Sequence, residues 1–263
     1  MASSLEIIPA DLFLSYKDLL DVDIAGNFET IQNRELEPHS FTFYTSVSVM
    51  TSSKIEGEVM DVDSYVKHKL LNIEYLPNLI EKPNDLYKAY LFAKANNLTK
   101  SNFLHTHKLI AKHLLPTLQQ GAIRTFEMLI LEHNTGRIQF EAAMANIVKA
   151  EFSKLWKDIS FLLKQHLTIE EIFYYASLIH LVFVNIHPFN DGNGRIARLL
   201  EKWFLAEKLG ERAWYIQSEK YYYNNVNDYY KNLSKVGMFY DNLDYNQSYP
   251  FLLMLPKCLN LDF

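Results

Sequence analysis

The chain of 263 residues holds a single cysteine, Cys258, which excludes an internal disulfide framework and fits a reducing compartment. Glycine and proline are both scarce, with eight of each, against a combined usage of about 12% in average proteins. That shortage argues against a turn-rich β-sandwich and for helices. Long apolar runs are missing: stretches such as residues 181–186 fall well short of the ~20 residues that cross a bilayer. Residues 1–8 have neither a basic start nor an apolar stretch, so no secretory leader is expected. Positive charge is not in excess either. A net charge of −5 excludes a general binder of nucleic acid or of anionic membranes. Repeats, charge blocks and low-complexity linkers are absent, leaving no firm domain boundary. The expectation is a soluble, cytoplasmic, mostly helical protein, long enough to bury a substantial core.

Apolar spacing predicts a helix over 38–56, carrying Phe41, Tyr44, Val47 and Val49 and ended by Gly57 at the C′ position. Helices over 61–74 and 84–97 follow, with Asp61 and Asn84 as N-caps, then another over 101–114. Residues 128–131 and 138–140 read as two short strands about a Gly-containing turn. A lone hairpin is marginal, so it must lean on the helices or hold an extended peptide. Helical spacing returns over 142–164. Thr168 and Glu171 form a capping box that opens a strongly apolar helix to about Val184. A further helix runs from near Gly194 to Gly210, with Lys208 in its last turn. A Tyr-rich helical stretch covers 218–236.

Residues 187–198 read His-Pro-Phe-Asn-Asp-Gly-Asn-Gly-Arg-Ile-Ala-Arg. No packing requirement assembles that mixture. Gly192 and Gly194 about Asn193 permit positive φ and close approach of an anion, at a helix start whose unpaired amides favour phosphate. Arg195 and Arg198 lie one turn apart on one face, where both can grip a polyphosphate. Asp191 can hold Mg2+ bridging two phosphates. His187, with an ordinary pKa of about 6.5, can deprotonate a hydroxyl near neutrality. Together they suit in-line attack of a hydroxyl on phosphorus. Pro188 and Phe189 read as structural, fixing the loop and plugging it into the core. One local rule is broken: Glu56 sits in a last helical turn, where the dipole disfavours an acid, and such conflicts often mark function.

The run matches every position of the Fic-domain signature His-x-Phe-x-(Asp/Glu)-Gly-Asn-Gly-Arg-x-x-Arg. The chain therefore resembles the Fic (Fido) family over roughly residues 40–240, with His107, Leu109, His180, Tyr229, Tyr230 and Leu233 as supporting flanks. The resemblance implies a mainly helical, all-α Fic fold with a short β-hairpin flap beside the site. It implies three parts: a helical arm over 1–75, a core over 76–240 and a tail over 241–263. It further implies a protein adenylyltransferase that moves AMP from ATP to a Ser, Thr or Tyr hydroxyl of a target protein. His187 is then the general base, Asp191 the Mg2+ ligand, and Asn193 with the amides of Gly192 and Gly194 the anion hole for the α-phosphate. Arg195 takes the β-phosphate, Arg198 the γ-phosphate, and Tyr230 with Leu233 the adenine. Met128, Leu129 and Ile130 of the flap dock the target strand, although Glu141-Ala142 stands where many members carry a proline pair.

Ser52-Ser53-Lys54-Ile55-Glu56-Gly57 resembles the family's inhibitory pattern (Ser/Thr)-x-x-x-Glu-(Gly/Asn). That resemblance implies an N-terminal inhibitory helix, about 38–57, whose Ser52 and Glu56 restrain the site through a Glu56–Arg198 pair. Self-modification and a homodimer stay open, and neither a membrane nor a direct nucleic-acid partner is expected. Other readings are another nucleotidyl or phosphoryl transferase, an AMP-removing enzyme of the same fold, and a catalytically idle interaction module. His105 and His107 point apart on a helix, which with His113 makes a metal site the weaker reading. His180 reads as a satisfied core histidine. Of the tyrosines at 221–223 and 229–230, only Tyr230 reads as part of the site.

Overall fold

The computed structural model describes residues 5–33, 37–131 and 138–260. In chain order its helices begin with α1 (Phe13–Asp18), α2 (Ile24–Asn33), α3 (Ser40–Ile55), α4 (Val62–Leu71), α5 (Pro77–Ala95) and α6 (Lys100–Ile110). Strands β1 (Leu129–Leu131) and β2 (Ile138–Glu141) pair antiparallel, with Ile130 opposite Phe140. Then come α7 (Val148–Leu162), α8 (Ile169–Ile186), α9 (Asn193–Leu209), α10 (Ser218–Asn224), α11 (Val226–Leu233), α12 (Tyr249–Leu252) and α13 (Met254–Lys257). The mainly helical fold with a two-stranded hairpin is therefore present. The hairpin's turn, over 132–137, lies outside the described residues.

Most helix boundaries follow from local chemistry. Asp61 caps α4 by accepting from the Ser64 amide, and Thr168 with Glu171 forms both bonds of the capping box that opens α8. Two expectations need correction. α5 begins at Pro77 rather than near Asn84, because Pro77 stands in the first turn, where a missing N–H costs nothing. Asn84 is an interior residue whose side chain accepts from the Tyr65 hydroxyl and Lys69. The Tyr-rich stretch is not one helix: α10 ends at Asn224, and Asn225 leaves the helical conformation before α11.

The central element is α8, and α9 packs along it. Helix α8 is long and apolar enough to cross a membrane by length and composition. The sequence reading missed this because Glu170 and Glu171 interrupt the apolar run at its first turn. In the fold α8 is wrapped by other elements, with Phe173, Ile179, Phe183 and Ile186 fully buried, as expected of a core helix. The core continues through the chain's end, where Phe251, Leu252, Leu255 and Cys258 are buried.

Helix α3 is also inside, packed against α4, α5, α9 and α10. Residues 45–53 are buried although they include six hydroxyl side chains. Thr51 and Ser46 bond back to the carbonyls of Val47 and Thr42, four residues earlier, so these two hydroxyls need no outside partner. Small side chains then let α3 pack close to α9. Gly57 ends α3 at φ +90, with its amide on Lys54 O and the Glu58 amide on Ser53 O. These two bonds make a Schellman motif, which only a residue tolerant of positive φ can close.

Candidate active site

His187 ends α8 in the left-handed region, at φ 51 and ψ 60. Among the described residues it shares positive φ with only one other non-glycine, Asn72, and such strain persists where surroundings over-determine it. Those surroundings are specific. Arg124 is buried and donates through Nε to the His187 carbonyl at 2.7 Å, while its other guanidinium nitrogens reach the carbonyls of Phe126, Ala143 and Ile186. The His187 Nδ1 lies 3.1 Å from Val184 O. A carbonyl only accepts, so Nδ1 carries the proton and Nε2 keeps its lone pair. Burial holds the imidazole down at about 4; Arg124 adds to this, whereas the Val184 bond, Glu56 and Asp191 oppose it. His187 is neutral at physiological pH and can act as a base.

The loop after His187 is tied from within. Asn193 is buried, its Nδ2 donating to Phe189 O at 2.8 Å and its Oδ1 accepting from Phe189 N at 3.0 Å. Its side chain thus braces the loop, and its contribution to an anion site falls to its main-chain amide. His107 stacks flat on Phe189 at 3.6 Å, donates from Nε2 to Asp191 O and accepts on Nδ1 from Gly121 N. Burial keeps this ring neutral too, at about 4. The structural reading of His107 holds, and His113 pairs with Asp85 instead of joining it.

Gly192 caps α9 at φ +81. The amides of Asn193, Gly194 and Arg195 open the helix and have no intrahelical acceptor. Asp191 is exposed at this mouth, with Oδ1 accepting from the Gly192 amide at 2.5 Å. Among the described residues no three His, Cys, Asp or Glu side chains converge. A lone exposed carboxylate beside an anion cradle fits Mg2+, which prefers a few protein oxygens together with substrate phosphates.

Glu56 lies over this cradle. Its Oε1 accepts from Arg198 Nη2 at 2.7 Å, and a Cβ added at Gly194 would stand 2.3 Å from that oxygen. The acid disfavoured at the end of α3 is therefore set against the positive start of α9. Burial pushes the Glu56 carboxyl up, but Arg198, Arg195 and the Arg198 hydrogen bond outweigh it and hold it below the ordinary range. Arg198 is fully buried: Nε donates to Ser52 Oγ at 2.8 Å, Nη2 to Ser52 O at 3.1 Å, and Nη1 to the Tyr229 hydroxyl at 3.3 Å.

A cavity of about 250 Å³ joins these parts, lined by His187, Gly194, Arg198, Glu56, Tyr230 and Leu233 among others. The hairpin contributes Ile130, Gln139 and Phe140. Leu129 is half-exposed and Met128 precedes the strand, its carbonyl accepting from Ala142 N, so of the three flap residues only Ile130 lines the cavity. Tyr230 donates to Ile55 O of α3 at 3.2 Å.

Four residues escaped the sequence reading. Tyr229, set aside as packing, touches Arg198 and also His180 Nε2, whose Nδ1 meets Glu201. His180 is thus a satisfied core histidine, but one link from the site. Arg124 had no signal beyond being an arginine among apolar residues. Glu58 accepts from Arg195 Nη2 at 3.5 Å and from Lys82 at 3.0 Å. Its nearness to Glu56 in sequence was visible, whereas Lys82 was not.

Residues 97–205 match the Fic/DOC family model. That segment spans α6 through most of α9, with the hairpin and the motif loop. A Fic family protein from Desulfovibrio desulfuricans G20 superposes at TM-score 0.76 and 18% identity, covering 98% of this chain and 74% of that one. A Fic domain containing signaling protein from Bacteroides thetaiotaomicron VPI-5482 gives 0.67 and 20%, covering 90% and 92%. Fic-1 from C. elegans gives 0.60 and 16%, covering 94% and 68%. No curated protein matches the sequence. At these identities the shared property is the fold, and α3, with Glu56, lies outside the matched segment.

Proposed function

We propose that this protein is an autoinhibited adenylyltransferase, moving AMP from ATP to a Ser, Thr or Tyr hydroxyl of a protein, its own included. The observation that carries this reading is Glu56 paired with Arg198 over the anion cradle, in the same cavity as a neutral His187. The His187 Nε2 takes the hydroxyl proton while the oxygen attacks the α-phosphorus. The α–β bridging bond breaks and pyrophosphate leaves. The first amides of α9 stabilise the charge developing on the α-phosphate. Arg195 and Arg198 hold the terminal phosphates, as bidentate donors suited to that geometry. Mg2+ held by Asp191 would neutralise phosphate charge. Tyr230 and Leu233 offer an apolar wall for the adenine.

Strand β2 meets Met238 and Phe239 at Glu141, so the hairpin's other edge belongs to β1. An extended target segment can pair there by main-chain bonds. With Glu56 in place, Arg198 is spoken for and the γ-phosphate has no seat. Glu56→Gly should raise transfer of α-labelled phosphate onto protein by at least about tenfold, the effect of 1.4 kcal/mol. Adding His187→Ala to that variant should abolish the label. Transfer that persists without His187 would remove it from the base role.

A further inference from the structure

The Schellman turn after α3 presents two carboxylates, two residues apart, on either side of Gly57. Glu56 meets Arg198, and Glu58 meets the other motif arginine, Arg195. The Glu58 Oε1 that reaches Arg195 Nη2 at 3.5 Å is also 3.0 Å from Lys82 Nζ on α5. One oxygen thus bridges two cations, whose separation cannot exceed the sum of those distances. Arg195 is nearly buried, and its Nε is buried with no hydrogen-bond partner. Glu58 is also largely shielded, whereas Lys82 is part-exposed. A buried guanidinium with an unmet donor, beside an ammonium that shares its Glu58 carboxylate, is a site short of anion oxygens.

We propose that Lys82 is a third cation of the polyphosphate site, held with Arg195 by Glu58 until a nucleoside triphosphate displaces that carboxylate. This rests on the nucleotide reading of the cavity and extends it to a residue on α5, outside the signature and outside the Fic/DOC segment. Lys82 is a point charge on a flexible stem, suited to following a terminal phosphate, while Arg195 supplies the fixed fork. A single Glu58 carboxylate faces both cations, so one positive charge of the trio is left over for phosphate to offset. Phosphate oxygens then replace one carboxylate and carry more charge. Glu58 also differs from Glu56 in effect: it competes for affinity through Arg195 and does not cover Gly194.

The distinguishing ligands are ATP and AMP, because AMP lacks the terminal phosphates. In the Glu56→Gly protein, calorimetric titration should show Lys82→Met weakening ATP about fivefold, the scale of a part-exposed ion pair. AMP affinity should change far less, and Lys82→Arg should restore ATP binding. Glu58→Gln should tighten ATP about fivefold. If Lys82→Met alters ATP and AMP equally, or neither, Lys82 is only a structural partner of Glu58 and the inference fails. Unchanged or weaker ATP binding in Glu58→Gln overturns the displacement as well. Should Glu56→Gly bind no ATP at all, the nucleotide reading falls with it; ATP binding indifferent to Lys82 overturns this inference alone.

Discussion

In the proposed reaction a base must be neutral to accept a proton and a phosphate clamp must stay charged; His187 and Arg198 meet these two conditions within one cavity. His187 is desolvated, with its Nδ1 on the Val184 carbonyl and the Arg124 guanidinium on its own carbonyl. Arg198 is fully buried but surrounded by acceptors from Ser52, Glu56 and Tyr229. The sign of the pH response follows. In the proposed reaction neutral His187 is the working form, and it is lost only as pH falls through about 4. Glu56 supports the imidazolium, so removing it lowers that point further. Transfer by Glu56→Gly should therefore stay level in its base-dependent limb from pH 8 to about 5. A limb near the ordinary histidine value, about 6.5, would show that His187 is not desolvated when it acts.

The turn after α3 is where sequence and structure agree most usefully. Gly57 at C′ was legible because a helix stop followed by positive φ selects glycine. The twelve-residue motif was legible because its residue types have no common packing use, and Glu56 because it violates a dipole preference. The pairs were not: Glu58 with Arg195 and Lys82, or Tyr229 with Arg198, join residues far apart in sequence. Asn84 was misread because Asn before an apolar stretch suggests a cap, whereas Pro77 had already started α5. The Schellman bonds fix where both carboxylates point. Gly57→Ala should strain that turn by about 1–2 kcal/mol, the left-handed penalty. It should raise basal transfer above wild type yet below Glu56→Gly. Activity no higher than wild type would mean the carboxylates do not depend on the turn.

Across the whole molecule, the helix that carries Ser52 and leads to Glu56 belongs to the core. Ser48 and Ser52 on α3 accept from Lys202 and Arg198 on α9, one turn apart on each helix. Lys202 in turn meets Glu219 of α10 at 2.5 Å, and Tyr90 of α5 donates to the same carboxylate group. A helix held this way does not leave as a body, so on the proposed reading release would be a movement of the Glu56 side chain and its turn. Buried histidines make the fold acid-sensitive as well. His107 and His187 both lie at about 4 when folded, against about 6.5 unfolded. The unfolded chain takes up protons first as pH drops, so their stabilisation is whole above 6.5 and declines down to about 4. Each costs about 2 kcal/mol at pH 5. Urea midpoints at pH 7 and pH 5 should show the loss; His107→Gln should lessen it, and an unchanged difference in that variant would assign it elsewhere.

The most direct test compares ATP labelled at the α-phosphate with ATP labelled at the γ-phosphate, using wild-type and Glu56→Gly proteins. The expected result is label on protein from the α-position only, faint in wild type and strong in the variant. Label from the γ-position, or equal labelling by the two proteins, would contradict an adenylyltransferase held off by Glu56.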